Sequence, residues 1–285
     1  MCGIAGLFAK TPAVEERLGA LIGVMLEQLA DRGPDSAGLA LYRDPAPAGM
    51  TKLTLFTPDP DVRWPEGAEV RASHAVVVLD DAEADRLRAE RPDLRVMSAG
   101  RRIEIYKEEG HPREFVERFG LAEMSGSHGL AHTRMATESR VTTQGAHPFS
   151  TGQDLCLVHN GSLSNHNQLR RRLRREGIAF QTENDTEVAA GYLEWRLREG
   201  DTLNAALEAC LDDLDGFYTF AVGTADGFAV LRDPIACKPA VMAETDDWVA
   251  MASEYRAIAV LPGAEDAVVW EPAPARVYSW ERALV

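Results

Sequence analysis

Short apolar runs and amphipathic stretches succeed one another along the chain, and their order predicts its strands and helices. Residues 2–9 (CGIAGLFA) form a continuous apolar run that is typical of a buried strand. From Val14 to Leu29 the apolar residues recur at three- and four-residue spacing, which predicts an amphipathic helix. A loop rich in turn-forming residues, DRGPDSAG (31–38), then leads into a second predicted strand, GLALY (38–42).

The second half of the chain carries the same two periodicities in a different order. A predicted strand at LCLVHNG (155–161) precedes predicted helices over 164–177, 185–198 and 203–211. The last third consists of short predicted strands joined by tight turns: GFYTFAVGT, GFAVLRD, AVMAET, WVAMAS, VVWE and VYSWE. Strands, then helices, then strands favour a layered sandwich over alternating β-α-β units.

Residues 44–125 interrupt this order. Residues 44–72 are rich in Pro and Asp, which predicts a surface connection. An apolar run, a charged helical run, a possible hairpin over 95–108 and another helix follow up to residue 119. We therefore expect a single domain over residues 1–285, with an inserted or elaborated segment at about 44–125.

Composition narrows the class of protein. The 285 residues are 45% hydrophobic, which suffices for a sizeable core. A net charge of −15 argues against nucleic acid or an anionic membrane as the main partner, because both are polyanions. No apolar run approaches the ~18 residues of a transmembrane helix, and no secretory signal precedes the first predicted strand. These features predict a cytoplasmic protein.

The four cysteines show no metal-binding spacing, so no metal site is predicted. Cys156 and Cys210 lie in apolar stretches that are typical of core thiols. Cys2 directly follows Met1, and a buried strand is one explanation for it. Removal of Met1 would instead leave a residue with both a thiol and a free α-amine. Because such an amine has a reference pKa of ~7.7–8, it can accept the thiol proton near neutral pH.

Acyl transfer from an amide also requires donors for the developing oxyanion and a clamp for the substrate. In HNGSLSN (159–165), the Asn160 side chain and the Gly161 backbone N–H can donate to one oxygen, although a plain strand-to-helix turn is the alternative. In HTRMAT (132–137), Arg134 beside Thr137 suits a forked contact with a carboxylate. An exposed arginine on a surface strand is the alternative there.

Two further charged residues are candidates. In NDTE (184–187), Asp185 can receive an ammonium group or cap the helix that follows. In DRGPDSAG (31–38), Arg32 can lie near the nucleophile or simply belong to a turn. We interpret the histidines at 132, 147 and 159 as hydrogen-bonded scaffolding, because an N-terminal nucleophile needs no histidine base.

Nine motifs occur in a fixed order along the chain: CGIAG, RGPDSAG, HTRMAT, AHPF, VHNGSLSN, ENDTE, DGFYTFAV, LRDPIACKP and ASE. This series resembles the class II, or N-terminal-nucleophile, glutamine amidotransferase domain. That domain is found in glutamate synthase, glucosamine-6-phosphate synthase, amidophosphoribosyltransferase and asparagine synthetase. The likeness covers nearly the whole chain outside about 44–125. It implies an α+β fold, namely a four-layer αββα sandwich with two antiparallel sheets between helical layers.

The resemblance also implies a role for each residue that matches the family motifs. Cys2 matches the nucleophile, and Arg32 matches the arginine near it. Asn160 and Gly161 match the oxyanion hole. The implied reaction is hydrolysis of the side-chain amide of L-glutamine.

The substrate-binding residues are implied in the same way. Arg134 and Thr137 match the clamp for the glutamine α-carboxylate, and Asp185 matches the residue that receives the α-ammonium group. Several relatives have HTRWATHG where this chain has HTRMATES, so Met135 and the pair Glu138–Ser139 depart from the pattern. The loop that closes over glutamine is therefore expected to differ from that of those relatives.

No acceptor domain follows these motifs, so the resemblance implies a free-standing glutaminase subunit that supplies ammonia to a separate synthase. The arrangement is similar to the amidotransferase subunit of glutamate-synthase-like proteins, in particular N-methylglutamate synthase. FMN and iron–sulfur centres would then belong to the partner subunits, and no cofactor is expected in this chain. Two alternatives stay open: a self-sufficient N-terminal-cysteine amidohydrolase that cleaves a γ-glutamyl or related amide, and a non-catalytic regulatory subunit.

Overall fold

The computed structural model describes residues 2–136 and 141–282, and within these ranges the chain forms sixteen strands. In chain order they are β1 (Gly3–Ala9), β2 (Ser36–Tyr42), β3 (Met50–Phe56), β4 (Glu69–Arg71), β5 (His74–Asp80), β6 (Arg95–Gly100), β7 (Ile103–Glu109), β8 (His128–Arg134), β9 (Phe149–Ser150), β10 (Cys156–Leu163), β11 (Gly216–Gly223), β12 (Gly227–Arg232), β13 (Val241–Glu244), β14 (Trp248–Ala252), β15 (Val268–Trp270) and β16 (Val277–Glu281).

The same parts of the chain contain eight α-helices and four short 3₁₀ turns. The helices are α1 (Pro12–Glu15), α2 (Leu18–Gln28), α3 (Asp81–Glu90), α4 (Pro112–Arg118), α5 (His166–Arg175), α6 (Asp185–Arg198), α7 (Leu203–Asp213) and α8 (Tyr255–Ile258). None of these described helices has both the length and the apolar character needed to cross a lipid bilayer.

Two antiparallel sheets form the centre of the fold. The first has seven strands in the order β15–β13–β14–β1–β8–β2–β7, and the second has five in the order β16–β12–β11–β10–β9. Strand β1 is central in the first sheet, where it pairs with both β14 and β8. Because both faces of β1 are covered, its sequence is apolar throughout rather than alternating.

Three apolar clusters show the layering. Ile4 and Phe8 of β1 pack with Val158 of β10 and Val230 of β12 between the two sheets. The other face of β1, including Leu7, packs against α2, α4 and α8. The outer face of the five-stranded sheet packs against α5, α6 and α7. The structure therefore confirms the predicted αββα sandwich.

A third sheet, in the order β4–β5–β3–β6, carries its own small core with α3. The prediction of a surface connection over 44–72 was wrong, because β3 lies inside this sheet and is almost fully buried. Polar residues interrupt the apolar pattern of this strand, so the sequence does not predict it. Buried Lys52 pairs with Glu104 at 2.9 Å, and Thr54 accepts a hydrogen bond from Ser98 at 3.0 Å.

The predicted hairpin over 95–108 was also wrong in its pairing. Strand β6 pairs with β3 in the small sheet, whereas β7 pairs with β2 in the seven-stranded sheet. The Asp154 carboxylate accepts the backbone N–H groups of Arg101, Arg102 and Ile103 at 2.7–3.0 Å, and this contact turns the chain from one sheet to the other. An insertion at about 44–125 stays a prediction.

Candidate active site

Cys2 lies directly before β1, at the end of the central strand of the seven-stranded sheet and within reach of β10 in the five-stranded sheet. Its backbone carbonyl accepts hydrogen bonds from Arg32 Nε at 3.0 Å and from Asn160 Nδ2 at 3.3 Å. The half-buried thiol donates a weak hydrogen bond to the Met135 carbonyl oxygen, with Sγ 3.9 Å away. Groups from both central sheets therefore meet at Cys2.

Arg32 is held in place on two sides. It lies in a 3₁₀ turn over Ala30–Arg32, directly before Gly33, where a Cβ would collide with the backbone of β8. Its guanidinium forms an ion pair with Glu254, which also accepts a hydrogen bond from Arg256 Nε at 2.6 Å. Burial alone would raise the pKa of the Glu254 carboxyl, but the hydrogen bond and charge of Arg32, together with Arg256, outweigh it and lower that pKa.

Asn160 and Gly161 lie near the end of β10, in the facing sheet. The Asn160 amide is 5% exposed, and it also donates to Ser253 Oγ at 3.1 Å. Gly161 has φ of +150°, and a Cβ there would collide with the Phe217 carbonyl oxygen of the neighbouring strand. Only glycine fits this position, because the backbone conformation and the close approach of β11 both exclude a side chain.

Of the remaining predicted residues, Arg134 and Asp185 lie in the described part of the chain. Arg134 ends β8, is 9% exposed, and lines the same cleft as Cys2. Asp185 begins α6, and its carboxylate accepts the Leu163 backbone N–H at 3.0 Å. The helix cap is Asn184 rather than Asp185, since Asn184 Oδ1 accepts the Thr186 N–H at 2.8 Å. Thr137, together with Glu138 and Ser139, lies outside the described residues.

Three buried histidines surround these groups. His147 Nε2 and His159 Nδ1 both contact the Thr186 hydroxyl, at 2.8 and 3.0 Å, and His132 stacks on His147 with ring centroids 4.1 Å apart. Burial lowers the pKa of His132 to about 3 and that of His159 to about 4, and it also holds the pKa of His147 well below 6.5. All three imidazoles are therefore neutral at pH 7, and their low pKa values make them weak proton acceptors.

One cleft of about 1060 Å³ brings these residues together. Six of the seven predicted site residues line it: Cys2, Arg32, Arg134, Asn160, Gly161 and Asp185. The cleft also extends past Phe180 and Gln181 to Arg95, which is the first residue of β6 in the small sheet. Pockets for small molecules occupy roughly 300–1,000 Å³, so this cleft has room for more than a single amino acid.

Several contributors were not predicted from the sequence. Ser253 and Glu254 belong to the motif ASE, for which the sequence alone suggests no role. They hold Asn160 and Arg32 respectively. Lys107, on β7, donates to the backbone oxygens of Gln144, Ala146 and Pro148 at 2.9–3.2 Å and so fixes the loop that carries His147. Sequence order alone contains no signal for contacts between residues so far apart.

Two stacked antiparallel sheets between helical layers, with a cysteine at the start of the first strand, define a sandwich of the N-terminal-nucleophile type. A solved glutamine phosphoribosylpyrophosphate amidotransferase from B. subtilis shares this fold, with a TM-score of 0.64 and 21% identity. The match covers 98% of this chain but 49% of that one, so the chain spans about half the length of the solved amidotransferase.

Sequence comparisons carry the assignment to a family. The model of the glutamine amidotransferase domain matches residues 132–260. The glutamine amidotransferase-like protein GlxB of Rhizobium meliloti (strain 1021) is 56% identical over 297 residues, which cover 99% of this chain and 98% of the relative. A glutamine–fructose-6-phosphate aminotransferase of Vibrio vulnificus (strain YJ016) is 38% identical over 109 residues, 38% of this chain and 18% of the relative. This chain belongs to the class II glutamine amidotransferase family.

Proposed function

We propose that this chain is a glutaminase subunit that hydrolyses L-glutamine to glutamate and ammonia, and that it supplies the ammonia to a separate synthase. The convergence of Cys2, Arg134, Asn160 and Asp185 on one cleft is the observation that carries the proposal. These residues come from two sheets and one helix, and they combine a thiol, a cation, an amide donor and a carboxylate. Each of these groups has a counterpart in glutamine. The cation can pair with the α-carboxylate, the carboxylate with the α-ammonium group, and the amide donor with the side-chain oxygen, while the thiol can attack the side-chain amide carbon.

In the proposed binding mode, the charged ends of glutamine determine its orientation. The Arg134 guanidinium pairs with the α-carboxylate, since a fork of N–H donors matches two carboxylate oxygens. The Asp185 carboxylate, which is 23% exposed, pairs with the α-ammonium group. The side-chain amide then points along the cleft towards Cys2.

In the proposed reaction, removal of Met1 frees the α-amine of Cys2, which takes the thiol proton as the sulfur attacks the amide carbon. As negative charge develops, Asn160 Nδ2 transfers one N–H from the Cys2 carbonyl, 3.3 Å away, to the oxyanion, and the Gly161 N–H donates the second hydrogen bond. The intermediate collapses when the amine returns the proton to the leaving nitrogen, which departs as ammonia. Water then hydrolyses the γ-glutamyl thioester, so glutamine and water balance glutamate and ammonia.

The separate partner rests on the extent of the relatives. The aminotransferase from Vibrio matches this chain over only 18% of its length, whereas the GlxB relative matches over 98% of its length. In the first protein the shared part belongs to a much longer chain, and in the second it makes up nearly the whole chain. We therefore propose a synthase on another chain, of the glutamate synthase or N-methylglutamate synthase type, and any FMN or iron–sulfur centre would reside there.

Release of glutamate from glutamine by the purified chain tests the proposal, with Cys2→Ala as the inactive variant. Cys237→Ala is the matched control, because Cys237 is exposed and does not line the cleft. We expect turnover by the unaltered chain and by Cys237→Ala, and none by Cys2→Ala. Equal turnover by the two variants would contradict the role of Cys2.

The volume of the cleft favours a second candidate. At about 1060 Å³ it extends beyond the glutamine-binding groups to Arg95 and Phe180, which suits a γ-glutamyl amide with a larger amine portion. A panel of γ-glutamyl amides, including γ-glutamylmethylamide and γ-glutamyl amino acids, separates the two candidates. Glutamine having the highest kcat/KM supports the glutaminase; a larger amide having the highest value supports the amidohydrolase.

A further inference from the structure

Three neighbouring groups hold the Asn160 side-chain amide, which also lines the cleft. Its Nδ2 donates to Ser253 Oγ at 3.1 Å and to the Cys2 carbonyl oxygen at 3.3 Å. Its Oδ1 lies 3.1 Å from His132 Nε2. Ser253 is in turn anchored to β1, because its hydroxyl oxygen accepts the Ile4 N–H at 2.9 Å and its own N–H donates to the Ile4 carbonyl at 3.0 Å.

The donor and acceptor chemistry of these groups allows one arrangement. A backbone carbonyl only accepts, so the nitrogen of the Asn160 amide must face Cys2 and its oxygen must face His132. An amide oxygen only accepts as well, so His132 must carry its proton on Nε2. His132 is 1% exposed and neutral at pH 7, and its ring also faces the backbone of His159, so the contact with Asn160 depends on a single tautomer.

A reversal of the Asn160 amide would destroy the proposed oxyanion site. The amide oxygen would then face both the Cys2 carbonyl and the position of the developing negative charge. The His132 Nε2–H disfavours this reversal, because the reversed amide would present N–H against N–H. Without a donor at position 132, only Ser253 and the Cys2 carbonyl would orient the amide.

We infer that His132 is a positioning residue for the reaction: its Nε2–H fixes the Asn160 amide with the nitrogen towards Cys2. The inference rests on the proposed function, in which Asn160 Nδ2 donates to the oxyanion. His132 itself contacts neither the thiol nor the substrate in this scheme, so its effect on the reaction passes entirely through Asn160.

The chain supplies a matched control on the same strand. His128 and His132 both belong to β8, both are buried, and burial lowers the pKa of each to about 3. His128 Nε2 contacts the Thr224 carbonyl at 2.8 Å, and the ring stacks on Tyr42 away from the cleft. Replacement of either ring by leucine removes a buried N–H donor, but only one of the two replacements affects Asn160.

The test measures kcat and KM for glutamine with His132→Leu, His132→Gln, His128→Leu, Asn160→Ala and the double variant His132→Leu/Asn160→Ala. Because loss of an oxyanion donor costs about 10²–10³ in kcat, we expect His132→Leu to lower kcat by about 10- to 100-fold with KM nearly unchanged. His132→Gln should recover most of the loss, since a glutamine N–H can occupy the position of Nε2. In the Asn160→Ala background, the leucine substitution should change kcat by less than about 3-fold.

The outcomes distinguish failure of the inference about His132 from failure of the proposed glutaminase function. If His132→Leu has no greater effect than His128→Leu, or if its effect multiplies with that of Asn160→Ala, then His132 does not act through Asn160 and the inference fails alone. If the unaltered chain does not turn over glutamine more than Cys2→Ala does, the proposed function fails and the inference fails with it.

A second measurement does not depend on activity. In the full chain labelled with ¹⁵N-histidine, the His132 ring should show a proton on Nε2 and a bare Nδ1 at pH 7. Its signals are assigned by their loss in His132→Gln. A proton on Nδ1 with a bare Nε2 would leave the Asn160 oxygen without a donor and would overturn the inference.

Discussion

The two walls of the cleft contribute different chemistry. The wall from the seven-stranded sheet carries Cys2 before β1, Arg32 before β2, and Arg134 at the end of β8. The facing wall carries Asn160 and Gly161 on β10 of the five-stranded sheet. In the proposed mechanism the first wall attacks and binds the carboxylate, whereas the second wall stabilises the charge that results.

This difference means that the site is assembled by sheet-on-sheet packing. The two walls are joined by apolar packing, with Ile4, Phe8 and Val158 in the layer between the sheets. Three side-chain hydrogen bonds of Asn160 cross the boundary, to Cys2, Ser253 and His132. A substitution on one wall should therefore change a different kinetic constant from a substitution on the other, and the following predictions exploit that contrast.

The largest effect is expected for a substitution on the wall that carries Asn160 and Gly161. Asn160→Ala should lower kcat by about 10²–10³ with little change in KM, because the lost hydrogen bond forms only as charge develops on the substrate oxygen. Steady-state kinetics with glutamine measure it. Asn167→Ala is the control, since Asn167 is an exposed residue of α5 that does not line the cleft. A change confined to KM would remove Asn160 from the oxyanion site.

Acid should lower the free energy of unfolding of the domain that carries both walls. Buried histidines with a low pKa bind fewer protons when folded than when unfolded, and the values are about 3 for His128 and His132 and about 4 for His159. Their contribution to stability is complete above pH 6.5 and is lost as pH falls towards 4. Each contributes at most about 1.4 kcal/mol per pH unit, so the three together should lower the free energy of unfolding by about 2–5 kcal/mol between pH 6.5 and 5.

Denaturant unfolding followed at pH 7, 6.5, 6, 5.5 and 5 measures this loss. The variant His128→Leu should show a shallower pH dependence than the unaltered chain, because one of the buried imidazoles is missing. A free energy of unfolding that stays constant over this range would show that the histidines titrate normally in the folded protein.

On the wall proposed to bind the carboxylate, Arg134→Lys should raise KM by about 10-fold, since a charge-assisted hydrogen bond contributes roughly 1.5 kcal/mol and an ammonium cannot form the forked contact. The effect on kcat should be small. Arg101→Lys is the matched control, because Arg101 binds the Ala46 carbonyl away from the cleft. An unchanged KM for Arg134→Lys would exclude Arg134 from the clamp.

The smallest effect is expected for Glu254, which forms an ion pair with Arg32 behind the wall that carries Cys2. Glu254→Gln weakens the partner of Arg32, and since partly exposed ion pairs contribute at most about 1 kcal/mol, kcat should fall by about 3-fold. Glu244→Gln is the control, because Glu244 has similar exposure and pairs with Lys10 instead. Equal kcat values for the two variants would show that Glu254 does not influence Cys2 through Arg32.

The difference between local and long-range contacts explains which site residues can be predicted from the sequence. Asn160 and Gly161 are recognisable because the pair is local: a polar donor and a glycine stand together at the end of an apolar strand. Ser253 is not recognisable in this way, since its contact with Asn160 joins residues 93 positions apart. Its role depends on β14 pairing with β1, which no local pattern specifies.

The fold shows the same limit. Strand β1 is predicted correctly because it is buried on both faces and therefore apolar throughout. Strand β3 is missed because one of its two buried faces is polar, with Lys52 neutralised by Glu104 and Thr54 paired with Ser98. The other face, with Leu53 and Leu55, lies in the core of the small sheet. Such pairs compensate for buried polar groups only after the strands have come together, so the sequence shows the polarity without the compensation.

The most direct test of the central claim is the mass of the intact protein before and after reaction with 6-diazo-5-oxo-norleucine, a glutamine-shaped electrophile. The account predicts that Met1 is absent and that one adduct forms, located on Cys2 by fragmentation and blocked by excess glutamine. Cys2→Ala should stay unmodified under the same conditions. Retention of Met1 in an active preparation, or an adduct on Cys237 instead of Cys2, would contradict the proposed N-terminal nucleophile.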